Sequence, residues 1–413
     1  MTNRKATRAS STTGVRGTTV LLAHPGAELY GSDRMLLESA SALLDEKARV
    51  VVALPSLGPL ADMLTNRGAE VIVCRTGVLR KSALSPVGLA RLAVDTAGGM
   101  IDAWRAVTRF KPQRIYVSTL TIPLWIGIAR LRRVPVVAHV HEAESSAPGL
   151  QRAALAAPLL AADTVIANSE FSVEVLGDSF NSLGRRTTVV HNGVPGPSRP
   201  VQARKVLDSA LKIAYVGRLS PRKGVDVAIE AVRLLTEAGV DVRLTLIGTA
   251  FSGYEWYEQL LRRTVTESGL SDRVAFLGFQ SPVFSRITEA DVVVVPSRVD
   301  EPFGNTAVEA LLCGRPVIAS ATSGLLEATA GYRSARTVAP GDATSLARSL
   351  AEVASNWQYM RTAAWRDVAL AEHRHSPSTY RHRVAATLGG LPPRRWKHHP
   401  ERVGGVAAAG GAQ

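Results

Sequence analysis

The sequence predicts an α/β protein built as two parallel-sheet domains in tandem, and three observations predict it. Short β-branched and aliphatic runs recur along the chain with helix-like stretches between them, the pattern of strands covered on both faces. A Pro/Gly-rich break, Gly193 to Pro200 (GVPGPSRP), interrupts that pattern, which then begins again. At 413 residues the chain is too long for one ordinary hydrophobic core.

The Ser/Thr/Arg-rich head, residues 1–17, reads as a disordered tail. Thr18 to Ala23 (TTVLLA) reads as a buried strand, followed by a Gly-containing loop and an amphipathic helix from about Ser32 to Leu44. Arg49 to Leu54, Glu70 to Val73, Arg114 to Val117, Pro135 to His139 and Thr164 to Ala167 repeat the strand theme and complete a first domain, 18–195. Residues 196–210 form the linker. The second domain, 211–375, carries strands at Lys212 to Val216, Asp241 to Ile247, Arg273 to Leu277, Asp291 to Val295 and Pro316 to Ala319. Its helices are Val225 to Glu237, Tyr254 to Ser268, about Asn305 to Leu312, and one stretch from Ala343 to about Glu372. A last helix near Ser378 to Leu388, within 376–391, is expected to return to the first domain, and 392–413 is a Pro/Gly/Ala tail. The facing edges of two such domains make a ligand crevice.

Composition narrows the function. Only two cysteines occur, Cys74 and Cys313, outside any metal-ligand spacing, which fits a reducing, cytoplasmic compartment. The net charge of +14 draws the protein toward polyanions, although Arg4, Lys5, Arg8, Arg394, Arg395 and Lys397 read as solvated tail charges. No secretory signal is read in the head, and the longest apolar run, Ala153 to Ala162, is about half of what a bilayer crossing needs. A soluble or peripheral protein is expected.

Four constellations carry chemistry. The densest is Pro296 to Pro316 (PSRVDEPFGNTAVEALLCGRP), where a strand enters a loop that runs into a helix N-terminus near Gly304. Glu301 sits in the loop and Glu309 in the helix. Ionised carboxylates accept hydrogen bonds from vicinal hydroxyls, and the N–H groups of Gly304, Asn305 and Thr306 face a phosphate or sugar oxygen. Taken alone, the two acids also fit a solvated loop and a helix surface. In Tyr215 to Gly224 (YVGRLSPRKG), Arg218 and Lys223 follow a strand end, where two cations suit a leaving diphosphate; an exposed basic turn fits them equally. In His24 to Asp33 (HPGAELYGSD), Gly31 and Ser32 can offer N–H groups to a phosphate, or Ser32 or Asp33 serves as a plain N-cap. Strand alternation puts His139 and His141 on one face. No third ligand lies at useful spacing, so no zinc is expected, and a hydrogen-bonding His at the cleft mouth and a structural His both fit.

Taken together, Glu301 to Glu309, Gly217-Arg218-Leu219 and Lys223-Gly224 resemble the retaining GT-B glycosyltransferases of family 4, in which two Rossmann-like domains face each other across a cleft. The resemblance runs from about Thr18 to Glu372 and takes in Asn168-Ser169, His191 to Val194 (HNGV) and Ala290 to Ser297 (ADVVVVPS). It implies that Arg218 and Lys223 hold the diphosphate of a UDP-, GDP- or similar sugar donor. It places Glu301 on hydroxyls of the transferred sugar and Glu309 on the ribose. Backbone groups of Phe303, Gly304, Asn305 and Thr306 would approach sugar and phosphate, His141 would lie near the 6-hydroxyl and reacting centre, and the loop at Gly31-Ser32 would face the diphosphate. Glu301, His141, Arg218 and Lys223 form the implied catalytic set. The family further implies a hexose-type sugar, retention, and neither a cofactor nor a required divalent metal. The implied acceptor is a glycan, a lipid-linked glycan or a small molecule, in polysaccharide or glycolipid biosynthesis. Two positions depart from the common pattern: Gly31-Ser32 replaces an adjacent Gly pair, and Asn305 stands where a larger apolar residue is frequent.

The first domain also carries Arg80, Lys81, Arg91, Arg105, Arg109, Lys111, Arg130, Arg132 and Arg133, interleaved with Val78, Leu79, Leu84, Leu89 and Trp104. Such a surface suits an anionic membrane at the inner leaflet, and ordinary surface arginines fit it as well. Among rival classes, a GT-B nucleotide-sugar epimerase is the alternative, which the Glu301/Glu309 pair around Pro-Phe-Gly disfavours. A non-catalytic glycan-binding protein is opposed by the intact acids and cations. Nucleic acid is not expected as a partner, because aromatics are 5% of residues and do not flank the basic clusters. A hydride-transfer enzyme lacks its Gly-x-Gly-x-x-Gly after the first strand.

Overall fold

The computed structural model describes residues 14–29, 31–79, 86–142, 147–251 and 253–394. Its first sheet holds β1 (Thr19–Ala23), β2 (Arg49–Leu54), β3 (Glu70–Val73), β4 (Arg114–Ser118), β5 (Val136–Val140), β6 (Thr164–Ala167) and β7 (Thr187–Val189), in spatial order β3-β2-β1-β4-β5-β6-β7. The second holds β8 (Leu211–Val216), β9 (Val242–Ile247), β10 (Val274–Gly278), β11 (Val292–Val295), β12 (Val317–Ser320) and β13 (Ala335–Val338), in order β10-β9-β8-β11-β12-β13. Every pairing is parallel. Parallel strands need crossovers, and helices supply them. In the first half these are α1 (Gly31–Asp45), α2 (Pro59–Asn66), α3 (Pro86–Phe110), α4 (Leu124–Leu131), α5 (Gly149–Ala156), α6 (Glu170–Ser179) and α7 (Asn181–Arg186). In the second they are α8 (Val225–Glu237), α9 (Glu255–Glu267), α10 (Phe284–Glu289), α11 (Asn305–Leu312) and α12 (Ser323–Thr329); α13 (Ala343–Ser355), α14 (Trp357–His375) and α15 (Pro377–Gly389) follow the last strand.

Strand alternation divides each core in two. In the first sheet Leu21, Val51 and Ile115 pack toward α3 and α4, whereas Val20, Val50 and Val52 pack toward α1, α2 and α15. Helix α15 thus closes a face of the first domain, burying Tyr380, Val384, Ala385 and Leu388. Val384 and Leu388 each contribute about 2 kcal/mol of apolar burial. Residues 196–210 dock on the second domain: Ala203 joins its core and Arg204 pairs with Asp291 at 2.7 Å.

Several expectations need correction. Val15, expected in a disordered head, is fully buried in the first core, and Gly17 N–H donates to the Lys47 carbonyl. One apolar residue next to a strand is enough to anchor the chain there. At the other end the tail expected from 392 is still docked at Arg394, whose backbone N–H donates to the Gln113 carbonyl, and the Leu391 carbonyl accepts the buried Arg114 guanidinium. The single stretch expected from Ala343 to Glu372 breaks at Asn356, which leaves the helical region and starts α14. Edge strands β7 and β13 (TTV and ARTV) were too short and too polar to register as buried runs.

In each sheet the order reverses beside the first strand, between β1 and β4 and between β8 and β11. Ligands of open parallel sheets bind outside the strand ends at such points.

Candidate active site

On the second domain, the loops after β8 and β11 lie against each other. Gly224 (φ 66°) sits so close that a Cβ there would come within 1.9 Å of the Pro296 carbonyl oxygen. That approach brings Lys223 to Glu301: the ammonium donates to Oε1 at 2.6 Å, and the Ser297 hydroxyl donates to the same oxygen at 2.7 Å. Burial alone would raise the Glu301 carboxyl. The Lys223 and Arg222 charges with the Ser297 hydroxyl override it and hold the group below its usual value, so it stays ionised. Arg218 leaves the end of β8 with its guanidinium 4.0 Å over the Phe251 ring, and the Tyr215 hydroxyl donates to its carbonyl at 2.7 Å.

Gly304 (φ 120°) opens α11 without a side-chain cap, and a Cβ there would meet Leu325 at 2.6 Å. The first amides of α11 are therefore open to an anion. Phe303, by contrast, is buried between His191 and His375, with ring centroids 5.5 and 5.6 Å away, so only its backbone can reach a ligand. Glu309 lies inside, not on the helix surface: it is buried, 3.7 Å from Arg34 of the first domain. Burial pushes its carboxyl up to about 7.

The first domain faces this with the start of α1. A Cβ on Gly31 would lie 3.5 Å from the side-chain Nδ2 of Asn305, so the first residues of α1 and α11 are neighbours across the cleft. Each helix start carries a partial positive charge, and two of them near one another make a setting for a diphosphate. Asp33 is inside α1, not its cap, and its carboxylate accepts from the buried His24 ring at 2.7 Å. His141, at the end of β5, belongs to the same corner: burial and its His139 and His24 neighbours lower its pKa, while Asp33 opposes them. His139 and His141 do share a face, their ring centroids 4.0 Å apart. Among the described residues no three His, Cys, Asp or Glu side chains gather as metal ligands.

The domains are also tied directly. The Asn192 side-chain amide donates to the side-chain Oδ1 of Asn305 at 2.8 Å, the Ser169 hydroxyl donates to the Pro302 carbonyl, and Glu327 of α12 accepts from the Glu170 amide and pairs with the His191 ring at 2.5 Å. Arg34, His24, Asn192, Ser297 and Glu327 had no assigned role in the sequence reading. The motifs holding Ser169, Asn192 and Ser297, and the loop from His24 to Asp33, had marked those segments without giving these residues a role. The structure thus joins Lys223 to Glu301, and joins Gly31, Asn305, Arg34 and Glu309 across the gap. His141 stands on the first-domain wall with His24 and Asp33.

Two family models match in succession: Glycosyltransferase Family 4 over residues 31–195 and Glycosyl transferases group 1 over 202–366. The chain belongs to the family 4 glycosyltransferases. It is 35% identical over 246 residues to a D-inositol 3-phosphate glycosyltransferase of Mycolicibacterium smegmatis, covering 54% of this chain and 55% of that protein. It is 34% identical over 143 residues to a 2-deoxystreptamine glucosyltransferase of Streptomyces kanamyceticus, 34% and 35% of the two chains. The chain spans about half the length of the curated relatives it matches. Among solved structures, Anabaena HepE in complex with UDP-glucose superposes with a TM-score of 0.77 at 23% identity, over 91% of this chain and all of that one. WaaG, a glycosyltransferase of lipopolysaccharide biosynthesis, gives 0.67 at 17%, over 90% and 100%. These neighbours establish the GT-B fold: two parallel-sheet α/β domains across a cleft.

Proposed function

We propose that the protein moves a hexose-type sugar from a nucleotide-sugar donor to an acceptor hydroxyl, retaining anomeric configuration and needing no bound divalent metal. One observation carries the reading: the first residues of α1 and α11 come together across the cleft, α11 starting without a side-chain cap just after the Lys223–Glu301 pair. In the reaction the bond from sugar C1 to the diphosphate breaks, a bond from C1 to the acceptor oxygen forms, and the acceptor proton ends on the released diphosphate. Arg218, Lys223 and the two helix ends would take up the charge that grows on that leaving group. Glu301 would turn from Lys223 toward sugar hydroxyls, Glu309 would hold the ribose, and His141 would face the sugar from the first domain. A UDP-sugar donor is favoured by the HepE complex, and a hydroxylated, ring-shaped acceptor by the inositol phosphate and deoxystreptamine relatives.

The place of action we propose is the cytoplasmic face of an anionic membrane. No helix among the described residues is long and apolar enough to cross one. Helix α3 exposes Val87, Val94, Ile101 and Trp104 at spacings of seven and three along one stripe, bordered by Arg91 and Arg105. Arg80, Lys81 and Leu84 lie outside the described residues.

Thermal-shift screening against UDP-, GDP-, dTDP- and ADP-sugars identifies the donor, because a ligand that binds only the native state raises the melting temperature. With that donor, Lys223→Ala and Glu301→Ala are each expected to lower transfer at least a hundredfold with the fold intact, and wild-type activity to survive EDTA. Near-normal transfer in either variant removes the site assignment. Acceptor-independent epimerisation of the donor would favour the epimerase instead.

A further inference from the structure

His141 has no hydrogen bond to orient it. Both its ring nitrogens are buried without a partner among the described residues. What it has is a ring neighbour, His139, with centroids 4.0 Å apart and planes tilted by 32°. His139 is itself fully buried and tethered at Nδ1 to the Tyr116 hydroxyl, 2.5 Å away. Behind Tyr116 stands Ser39 at 3.0 Å, which meets the Met35 carbonyl at 2.9 Å and the Tyr380 hydroxyl at 2.7 Å. Tyr380 comes from α15, reaches the same Met35 carbonyl at 3.3 Å, and lays its ring beside His139, with centroids 6.2 Å apart.

The protons of this chain can be placed. Ser39 donates to Met35, and Tyr380 and Tyr116 both donate to Ser39, which spends all the hydroxyl protons. The Tyr116 oxygen is then an acceptor, and His139 fills it from Nδ1–H. An arrangement in which Tyr116 donates to His139 uses only the hydroxyl protons and fills one contact fewer. His139 is therefore the Nδ1–H tautomer, its Nε2 bare and unpartnered among the described residues. Burial holds its pKa down to about 3, so the ring stays neutral.

We infer that Tyr116, backed by Ser39 and by Tyr380 of the returning helix, is a positioning residue for transfer: it fixes the tautomer and plane of His139, and His139 fixes the plane of His141. The inference rests on His141 facing the transferred sugar, as proposed above. It makes α15, remote in sequence, part of the support of the reacting centre.

Tyr116→Phe removes one oxygen and leaves the ring in place. With the donor found by thermal shift, kcat is expected to fall about tenfold, the scale of lost support behind a working histidine, while donor KM stays within twofold. In long-range 1H–15N spectra of histidine-labelled protein, the single Nδ1–H pattern of His139 is expected to give way to mixed tautomers. Tyr380→Phe should act in the same direction and less. Arg381→Ala breaks the ion pairs of the same helix with Glu38 and Asp45; it should lower the melting temperature and leave kcat alone, which separates a loosened helix from a lost orientation. Should Tyr116→Phe not fold, Ser39→Ala is read the same way. His141→Ala separates the two readings. Full transfer without His141 overturns the placement of that residue. Lost transfer in His141→Ala, with unchanged kcat and His139 tautomer in Tyr116→Phe, overturns the positioning role alone.

Discussion

Replacing Glu309 by Gln removes a charge and keeps the shape, and the burial of that side chain fixes the consequences. Burial pushes the Glu309 carboxyl up to about 7, with Arg34 pulling the other way. Charge-assisted bonds from ribose hydroxyls need the ionised form, so donor affinity should follow the ionised fraction. That fraction rises from about a tenth at pH 6 to about nine tenths at pH 8, so the donor Kd should fall up to about tenfold over that range. A nucleotide sugar's diphosphate adds no titration of its own there, since each phosphorus bears one ester and one anhydride oxygen and keeps only a strongly acidic hydroxyl. Stability carries the opposite sign. The folded value lies above the unfolded 4.5, so the native state keeps its proton longer, and stability falls as pH rises from about 4.5 to about 7 and then levels. A shift of this size corresponds to on the order of 3 kcal/mol. Glu309→Gln should therefore melt higher than wild type at pH 8, match it near pH 4.5, and show a donor Kd without the step. Calorimetric titrations at pH 6, 7 and 8 check this. A wild-type Kd that does not change with pH, or a step that survives in Glu309→Gln, refutes the reasoning.

Other outcomes rest on the same geometry. Arg34→Met removes the charge facing Glu309 and should move the Kd step to higher pH; an unmoved step in the same titration would show that Arg34 does not act on Glu309. Arg315 is buried and donates to the carbonyls of Ala290, Val201, Cys313, Gly314 and Thr288, so Arg315→Ala should cost about 3–5 kcal/mol in urea unfolding. A loss under about 1 kcal/mol would mean those carbonyls find other donors. Sedimentation with phosphatidylglycerol-containing vesicles should fall with salt and fall again in Ile101→Glu/Trp104→Glu; binding that is absent or indifferent to both ends the membrane proposal.

Much of the architecture was legible because it is local. Buried parallel strands are continuous apolar runs, so β2, β3 and β6 were placed to the residue, as were α8 and α11. Turn chemistry at Gly224 and Gly304 marked both loops that meet at Lys223 and Glu301. Where the periodic signal is short, as in β7 and β13, or continuous across a break, as at Asn356, it misled.

The chain by itself determined which segments become strands, where the pattern restarts, and which acids and cations stand at strand and helix ends, because those depend on neighbours a few residues apart. Tertiary structure alone decided that Glu309 is buried against Arg34, that Asn192 holds Asn305, and that Tyr380 reaches Ser39 across a separation of 341 residues. Burial and hydrogen-bond geometry arise only when distant segments pack, and they set the protonation and orientation on which the site's chemistry depends.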